Sequence, residues 1–262
     1  MSERSILLQR VRRIVVAVLV VAIVVWSAAG LDYSSLGSFS ASLAASVFTG
    51  LAQPDWAYFY DGSGEDVLSL LLLTIGIAFL GTAIACVLAF PLTLLASRVL
   101  WKHPVVPRVF KFVLNILRAF PELIYAIIFV KVVGPGPFAG VLAIGVHQIG
   151  MLGKLWCEEM EAMSDEPVEA VRAVGGNFWQ SMFYARIPHL MPIWSSIALN
   201  HFEIAVRSAA TLGLVGAGGI GAPLIFAIQA RSWDTVSIIL LSVIVAVFVI
   251  DLVGGAIRKR LK

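Results

Sequence analysis

Ionisable side chains set inside long apolar runs are the residues of this chain with chemistry to do, because a charge in hydrocarbon is costly unless paired or facing water. Arg118 and Glu122 stand four apart around Pro121, and Glu203 and Arg207 repeat that spacing. On a helix such partners share a face, so each pair either neutralises itself or turns its arginine toward a polar path that attracts an oxyanion. Both readings stand open. His147, beside Gln148 and near Gly145, Gly150 and Gly153, reads as a helix-packing histidine or as a substrate contact. Asp251 has no partner visible in the sequence. Ser208 leads into Gly213, Gly216, Gly218, Gly219 and Gly221. No strand precedes that run and no Gly-Lys-Ser/Thr follows, so a nucleotide loop lacks its context. A tight turn between spans and an unwound segment acting as a gate or anion nest are the readings left. No His/Asp/Glu/Cys set has metal-ligand spacing and no nucleophile elbow occurs, so no catalytic residue, metal or cofactor is expected in this chain.

The elements that must hold these groups are membrane helices. Of 262 residues 60% are hydrophobic and 13% charged, about half the charged share of a soluble domain. The expected class is an all-α polytopic membrane protein of about six transmembrane helices, at about 14–29, 67–96, 112–133, 138–156, 188–210 and 236–257. The first run follows Arg4, Arg10, Arg12 and Arg13 and reads as an uncleaved span rather than a signal peptide. Residues 1–66 then comprise that helix and an acidic external segment, and 67–262 a core. Cys86 and Cys157 read as small packing residues. Arg98, Lys102, Arg108, Lys111, Arg172, Arg186, Arg258, Lys259, Arg260 and Lys262 fall on the same side as the N-terminal arginines, while Asp32, Asp55, Asp61, Glu65 and Asp66 fall opposite. That asymmetry places both termini in the cytoplasm.

One polar stretch interrupts the apolar chain, residues 165–188 (DEPVEAVRAVGGNFWQSMFYARIP). Pro167 suits a helix start, Gly175-Gly176 an end or sharp bend. A second short helix from Phe178 to Arg186 is expected to stop at Pro188. Two short amphipathic helices with a glycine elbow suit contact with something cytoplasmic.

Glu169-Ala170, then Gly175, then Ile187-Pro188 resembles the coupling loop of ABC importer permeases. Arg118-Ala119-Phe120-Pro121-Glu122-Leu123, the GPGPFAGVLA run from Gly134, His147, Val206-Arg207-Ser208-Ala209 and Gly216 to Gly221 resemble the phosphonate-importer permeases in particular. The resemblance implies a homodimeric pore subunit in the bacterial inner membrane. It pairs each chain with a second copy, with two cytoplasmic ATPase subunits that hold ATP and Mg, and with an external substrate-binding protein; no nucleic acid is implied. Phosphite, phosphate and methionine-type permeases are near alternatives, and a secondary transporter without an ATPase is the alternative from another class. On this resemblance Glu169, Ala170, Arg172, Gly175 and Pro188 couple to the ATPase. Arg118, Glu122, His147, Glu203, Arg207, Ser208, Gly216, Gly218, Gly219 and Gly221 are candidates for the translocation pathway or gate.

Overall fold

Without water to pair with, backbone amides in a bilayer must be satisfied within the chain, which favours helices. The computed structural model describes residues 3–31, 40–101 and 103–261, and no strand occurs among them. Asp32, Lys102, Lys262 and the side chain of Arg4 lie outside the described parts. The chain divides into two units, residues 1–46 and 47–262. The first holds helix α1 (Glu3–Ala29) and the start of α2 (Ala41–Leu51). The apolar part of α1, Arg12–Ala29, is long enough to span a bilayer.

The second unit is built from α3 (Val67–Ala96), α4 (Val105–Ala119), α5 (Glu122–Val133), α6 (Pro137–Ala162), α7 (Glu166–Ala173), α8 (Phe178–Ser181), α9 (Ile187–Leu212), α10 (Gly221–Ala230) and α11 (Trp233–Leu261). Among the described residues four helices are long and apolar enough to cross a membrane, in α1, α3, α6 and α11, and a fifth span results if α4 and α5 are one. Helix α9 has the length, 26 residues or about 39 Å, but carries His189, Asn200, His201, Glu203 and Arg207 and so falls short in composition. The expected six is therefore an approximate count.

Helix α6 is the central element, packed by α3, α4, α5 and α9. Small residues let its neighbours approach closely, since packing rather than hydrophobicity drives association in lipid. A Cβ on Gly81 of α3 would lie 2.9 Å from Ile144, and one on Gly153 would lie 2.7 Å from Leu114 of α4. Gly76 of the same helix has no neighbour within 4 Å of such a Cβ. Trp156 of α6 and Trp194 of α9 stack at 5.4 Å, and each indole N–H donates to the other's carbonyl at 3.2 Å. This reciprocal pair locks the two helices in register and fills the inner core with Met160, Leu152 and Leu190. Cys157 is buried there, as expected of a packing residue, and Cys86 is partly buried.

The expected continuous third span is corrected. Helices α4 and α5 meet at an 83° bend. Pro121 drives its predecessor out of the helical region, and Phe120 accordingly sits at φ −88°, ψ 132°. At the far end of α5, Gly136 N–H donates to Gly216 O at 2.8 Å, and Asp55 N–H donates to Asp234 O at 3.2 Å. These bonds gather the segments expected to be external at one end of the unit. Asp66 caps α3 there, accepting from Ser69 N–H at 2.7 Å. That bond holds its carboxyl below the usual range, as hydrogen bonds from Ser63 do for Asp61. Both therefore keep this end negative.

Candidate functional site

The polar stretch folds as an elbow at the opposite end of the unit. Pro167 lies in the first turn of α7, where its missing N–H is no loss. Val174 ends that helix, and Gly175 adopts φ +88°, the left-handed conformation that glycine enters most cheaply. Its N–H returns to Arg172 O and that of Gly176 to Val171 O, both at 2.9 Å, closing the orphan carbonyls. Asn177 and Gln180 form a reciprocal capping box that starts α8. Glu169, Ala170, Arg172 and Val174 all face solvent, Val174 at 85% exposure.

Two expectations for this stretch are revised. Pro188 does not stop the second short helix. Helix α8 widens into a π turn, Met182–Arg186, and continues into α9, with Pro188 in the first turn of that helix. In the π turn Ile187 N–H reaches back five residues to Met182 O, and this wider winding accommodates the proline ring, so the chain passes from elbow to span without a break. Arg186, expected as a cytoplasmic surface charge, is 5% exposed. Its Nη1 donates to Met160 O at 3.0 Å and its Nη2 to the Asp165 carboxylate. One guanidinium thus ties the end of α6 and the start of α7 to the π turn.

The second set of candidates surrounds the α4–α5 bend. Arg118 and Glu122 do not pair, because the bend separates them. Arg118 Nε instead donates to Asn115 Oδ1 at 3.2 Å and stays exposed, while Glu122 begins α5 half-buried. The bend also frees the Phe120 carbonyl from its helical amide, since Ile124 N–H goes to Pro121 O. His147 Nδ1 lies 3.1 Å from that orphan oxygen. A carbonyl can only accept, so His147 Nδ1–H is the donor in this contact. Beside it the amide of Gln148, 2% exposed, donates to His201 O at 3.0 Å, and its own oxygen has no partner among the described residues.

The third set joins α9 to α11. Glu203 does not neutralise Arg207. Arg258 of α11 takes that role, with Nη1 2.9 Å from Glu203 Oε1 and Nη2 4.0 Å from Asp251 Oδ1. Gly254 makes the contact possible, for a Cβ there would stand 2.1 Å from Glu203 Oε1. Arg207 is left exposed on α9, where it and Asp251 border one concavity with Val247 and Phe248. Ser208 is half-buried, and its carbonyl accepts from Thr211 Oγ1 at 2.8 Å. Asp251 thus has the partner the sequence did not disclose. Arg258 reads in sequence as one more basic tail residue, and no spacing rule links it to a residue 55 positions earlier.

The glycine run forms a packed turn. A single 3₁₀ turn, Gly213–Val215, is followed by left-handed Gly216, Gly218 and Gly219 and then by α10. Gly216 and Ala217 give their N–H groups to Gly213 and Leu212 carbonyls, and Ile220 N–H donates to Thr74 Oγ1 at 2.9 Å. Those three amides are spent internally, which favours the turn reading over an anion nest. A Cβ on Gly221 would lie 2.1 Å from Ala210 O, and one on Gly218 2.7 Å from Pro137 N. Among the described residues no three His, Cys, Asp or Glu side chains are grouped to hold a metal.

A family model described as binding-protein-dependent transport system inner membrane component matches residues 89–262. The chain is 38% identical over 192 residues to the phosphite transport system permease protein PtxC of Stutzerimonas stutzeri, covering 73% of this chain and 70% of that protein. It is 36% identical over 215 residues to the phosphate-import permease protein PhnE of Mycolicibacterium smegmatis, covering 82% of this chain but only 40% of that longer protein. Among solved structures it resembles an amino acid ABC transporter (TM-score 0.63, 18% identity, 88% of this chain and 99% of that one). It also resembles the inward-facing MetNI methionine ABC transporter (TM-score 0.63, 21% identity, 75% and 96%). At these identities the two structures speak to the fold alone. The chain belongs to the family of binding-protein-dependent transport system inner membrane components.

Proposed function

We propose that this permease is the pore subunit of an ATP-driven importer of a small phosphorus oxyanion: phosphonate, phosphite or phosphate. The observation that carries the reading is the family match over residues 89–262, joined to relatives named for phosphite and phosphate import. The chain itself performs no bond chemistry. Hydrolysis of ATP with Mg falls to two cytoplasmic ATPase subunits, selection to an external binding protein, and the pore to two copies of this chain. The seat is the bacterial inner membrane with both termini cytoplasmic, a reading supported by the basic residues at one end and the acidic residues at the other.

The coupling residues are Glu169, Ala170, Arg172, Gly175 and Pro188. A push on α7 reaches α9 through two routes, the elbow with its continuous π turn and the Arg186 tie. Helix α9 carries Arg207, whose charge is unneutralised by its helix neighbour because Glu203 is engaged by Arg258. An exposed guanidinium on a moving helix offers a transported dianion a weak, releasable partner. Arg118, Glu122 and His147 at the α4–α5 bend add a second polar step, with α5 presenting the start of a half-helix. Ser208, Gly216, Gly218, Gly219 and Gly221 shape the outer end of the path.

The test is uptake by cells expressing the chain with an ATPase and a binding protein encoded beside it. Methylphosphonate or phosphite uptake should stop when the ATPase is made hydrolysis-dead, and Arg207→Gln should lower uptake without loss of assembled complex. Uptake that persists without any ATPase and follows an ion gradient would overturn the proposal in favour of secondary transport.

A further inference from the structure

A second polar site lies at the inner end of the chain, apart from Arg207 and Glu203. A cavity of about 250 Å³ opens beneath the elbow, between the end of α6, helix α7 and the α8–π segment. One water takes about 30 Å³ of liquid, so the space admits a small tetrahedral ion with some of its hydration. Its polar walls are Glu161, Asp165, Arg172, Ser181 and Arg186.

Donor and acceptor accounting gives the site its sign. Glu161 is already satisfied by Lys111 Nζ, at 2.6 and 2.8 Å, and by Arg98 N–H at 2.8 Å. Asp165 accepts from Arg186. Lys111 thus neutralises Glu161 and Arg186 neutralises Asp165, while Arg172 on the cavity wall has no ion pair among the described residues. Ser181 is 2% exposed, and its hydroxyl has no hydrogen-bond partner among the described residues. A buried hydroxyl left unmatched is costly, so its position on the wall of a cavity that also holds the unpaired Arg172 marks a place prepared for an acceptor.

We propose that this cavity binds a phosphate group, with Arg172 and Ser181 donating to it. A bound phosphate bridges α7 to α8 and stiffens the elbow. The inference is independent of what the chain transports. The phosphate can come from the cytoplasm as a free ion or from a lipid headgroup, and two arms separate the sources.

The full chain is purified in a phosphate-free maltoside detergent, and its thermal unfolding midpoint is followed during titration with inorganic phosphate or with phosphatidylglycerol. The expected result is a saturable upward shift with inorganic phosphate. A charged hydrogen bond is worth enough that Arg172→Gln and Ser181→Ala should each weaken the apparent affinity about tenfold. Arg172 is exposed, and Ser181→Ala removes only an unmatched hydroxyl, so both variants fold and the unliganded midpoint of Ser181→Ala is equal or higher. Arg207→Gln should leave the response intact, which separates this site from the transport path. A shift with phosphatidylglycerol alone, still weakened by Arg172→Gln and Ser181→Ala, assigns the phosphate to a headgroup. No shift in either arm, or one that survives both inner variants, overturns the proposal, as does one abolished by Arg207→Gln.

Discussion

The elbow at Gly175-Gly176 and the turn from Gly213 to Gly221 are both glycine-bearing breaks between helices, and they are built on opposite principles. Around Gly175 there is nothing within 4 Å of where a Cβ would stand, and the residue is needed only for its φ of +88°. Around Gly221 a Cβ would meet backbone at 2.1 Å, although the residue is helical. The first glycine provides backbone freedom at an exposed joint, whereas the second provides close approach in a packed end. A joint held by few contacts opens at lower cost than an end held by many. Helix α9 runs between the two, tied to α6 by the tryptophan pair and to α11 by Glu203 and Arg258.

The contrast is sharpest in what substitutions should break. Gly221→Val is expected to have the largest effect, since overpacking against backbone costs about 3 kcal/mol or more. Size-exclusion profiles should show little monodisperse protein, and a normal yield would remove the distinction between the two breaks. Next comes the tie on α9. Glu203→Gln leaves Arg258 with only the longer contact to Asp251, 4.0 Å away, a loss of up to about 3 kcal/mol for a pair this buried. Arg258 is partly exposed, so the measured drop in thermal midpoint should lie below that bound. Adding Arg258→Gln should restore most of the midpoint, whereas adding Arg207→Gln should not; rescue by Arg207→Gln instead would return Glu203 to its helix neighbour. The smallest effect on stability is expected at the elbow. Gly175→Val imposes a left-handed strain of about 1–2 kcal/mol and leaves the yield near normal, yet ATP hydrolysis should no longer be matched by uptake. Near-normal uptake by that variant would sink the coupling role.

Much of the architecture was legible because it depends on neighbours in the chain. Pro167 at a helix start and the stop at Gly175 both rest on local sterics. The bend at Pro121 was equally local, yet reads in sequence as an apolar run with a proline inside it. Only the packing of α4 and α5 against α6 shows that the bend is a break. Pro188 misled for a related reason. A proline stops a regular α-helix arriving from before it, but the helix that arrives at Pro188 is already widened into a π turn.

The pairings of charge were the least legible part. Spacing alone offered Glu203 to Arg207 and Arg118 to Glu122, and neither pair forms. Packing supplied Arg258 to Glu203 and Asp165 to Arg186 instead, while Arg118 took Asn115, three residues earlier on its own helix.

By itself the sequence determined that the chain is helical and membrane-borne, where its polar elbow lies and which end carries positive charge. Those follow from composition and from contacts within a few residues, which any chain of this order must make. Which arginine is neutralised and which remains available was decided only by the tertiary structure. An ion pair depends on distance in space, and only the packing of α9 against α11 brings residues 203 and 258 together.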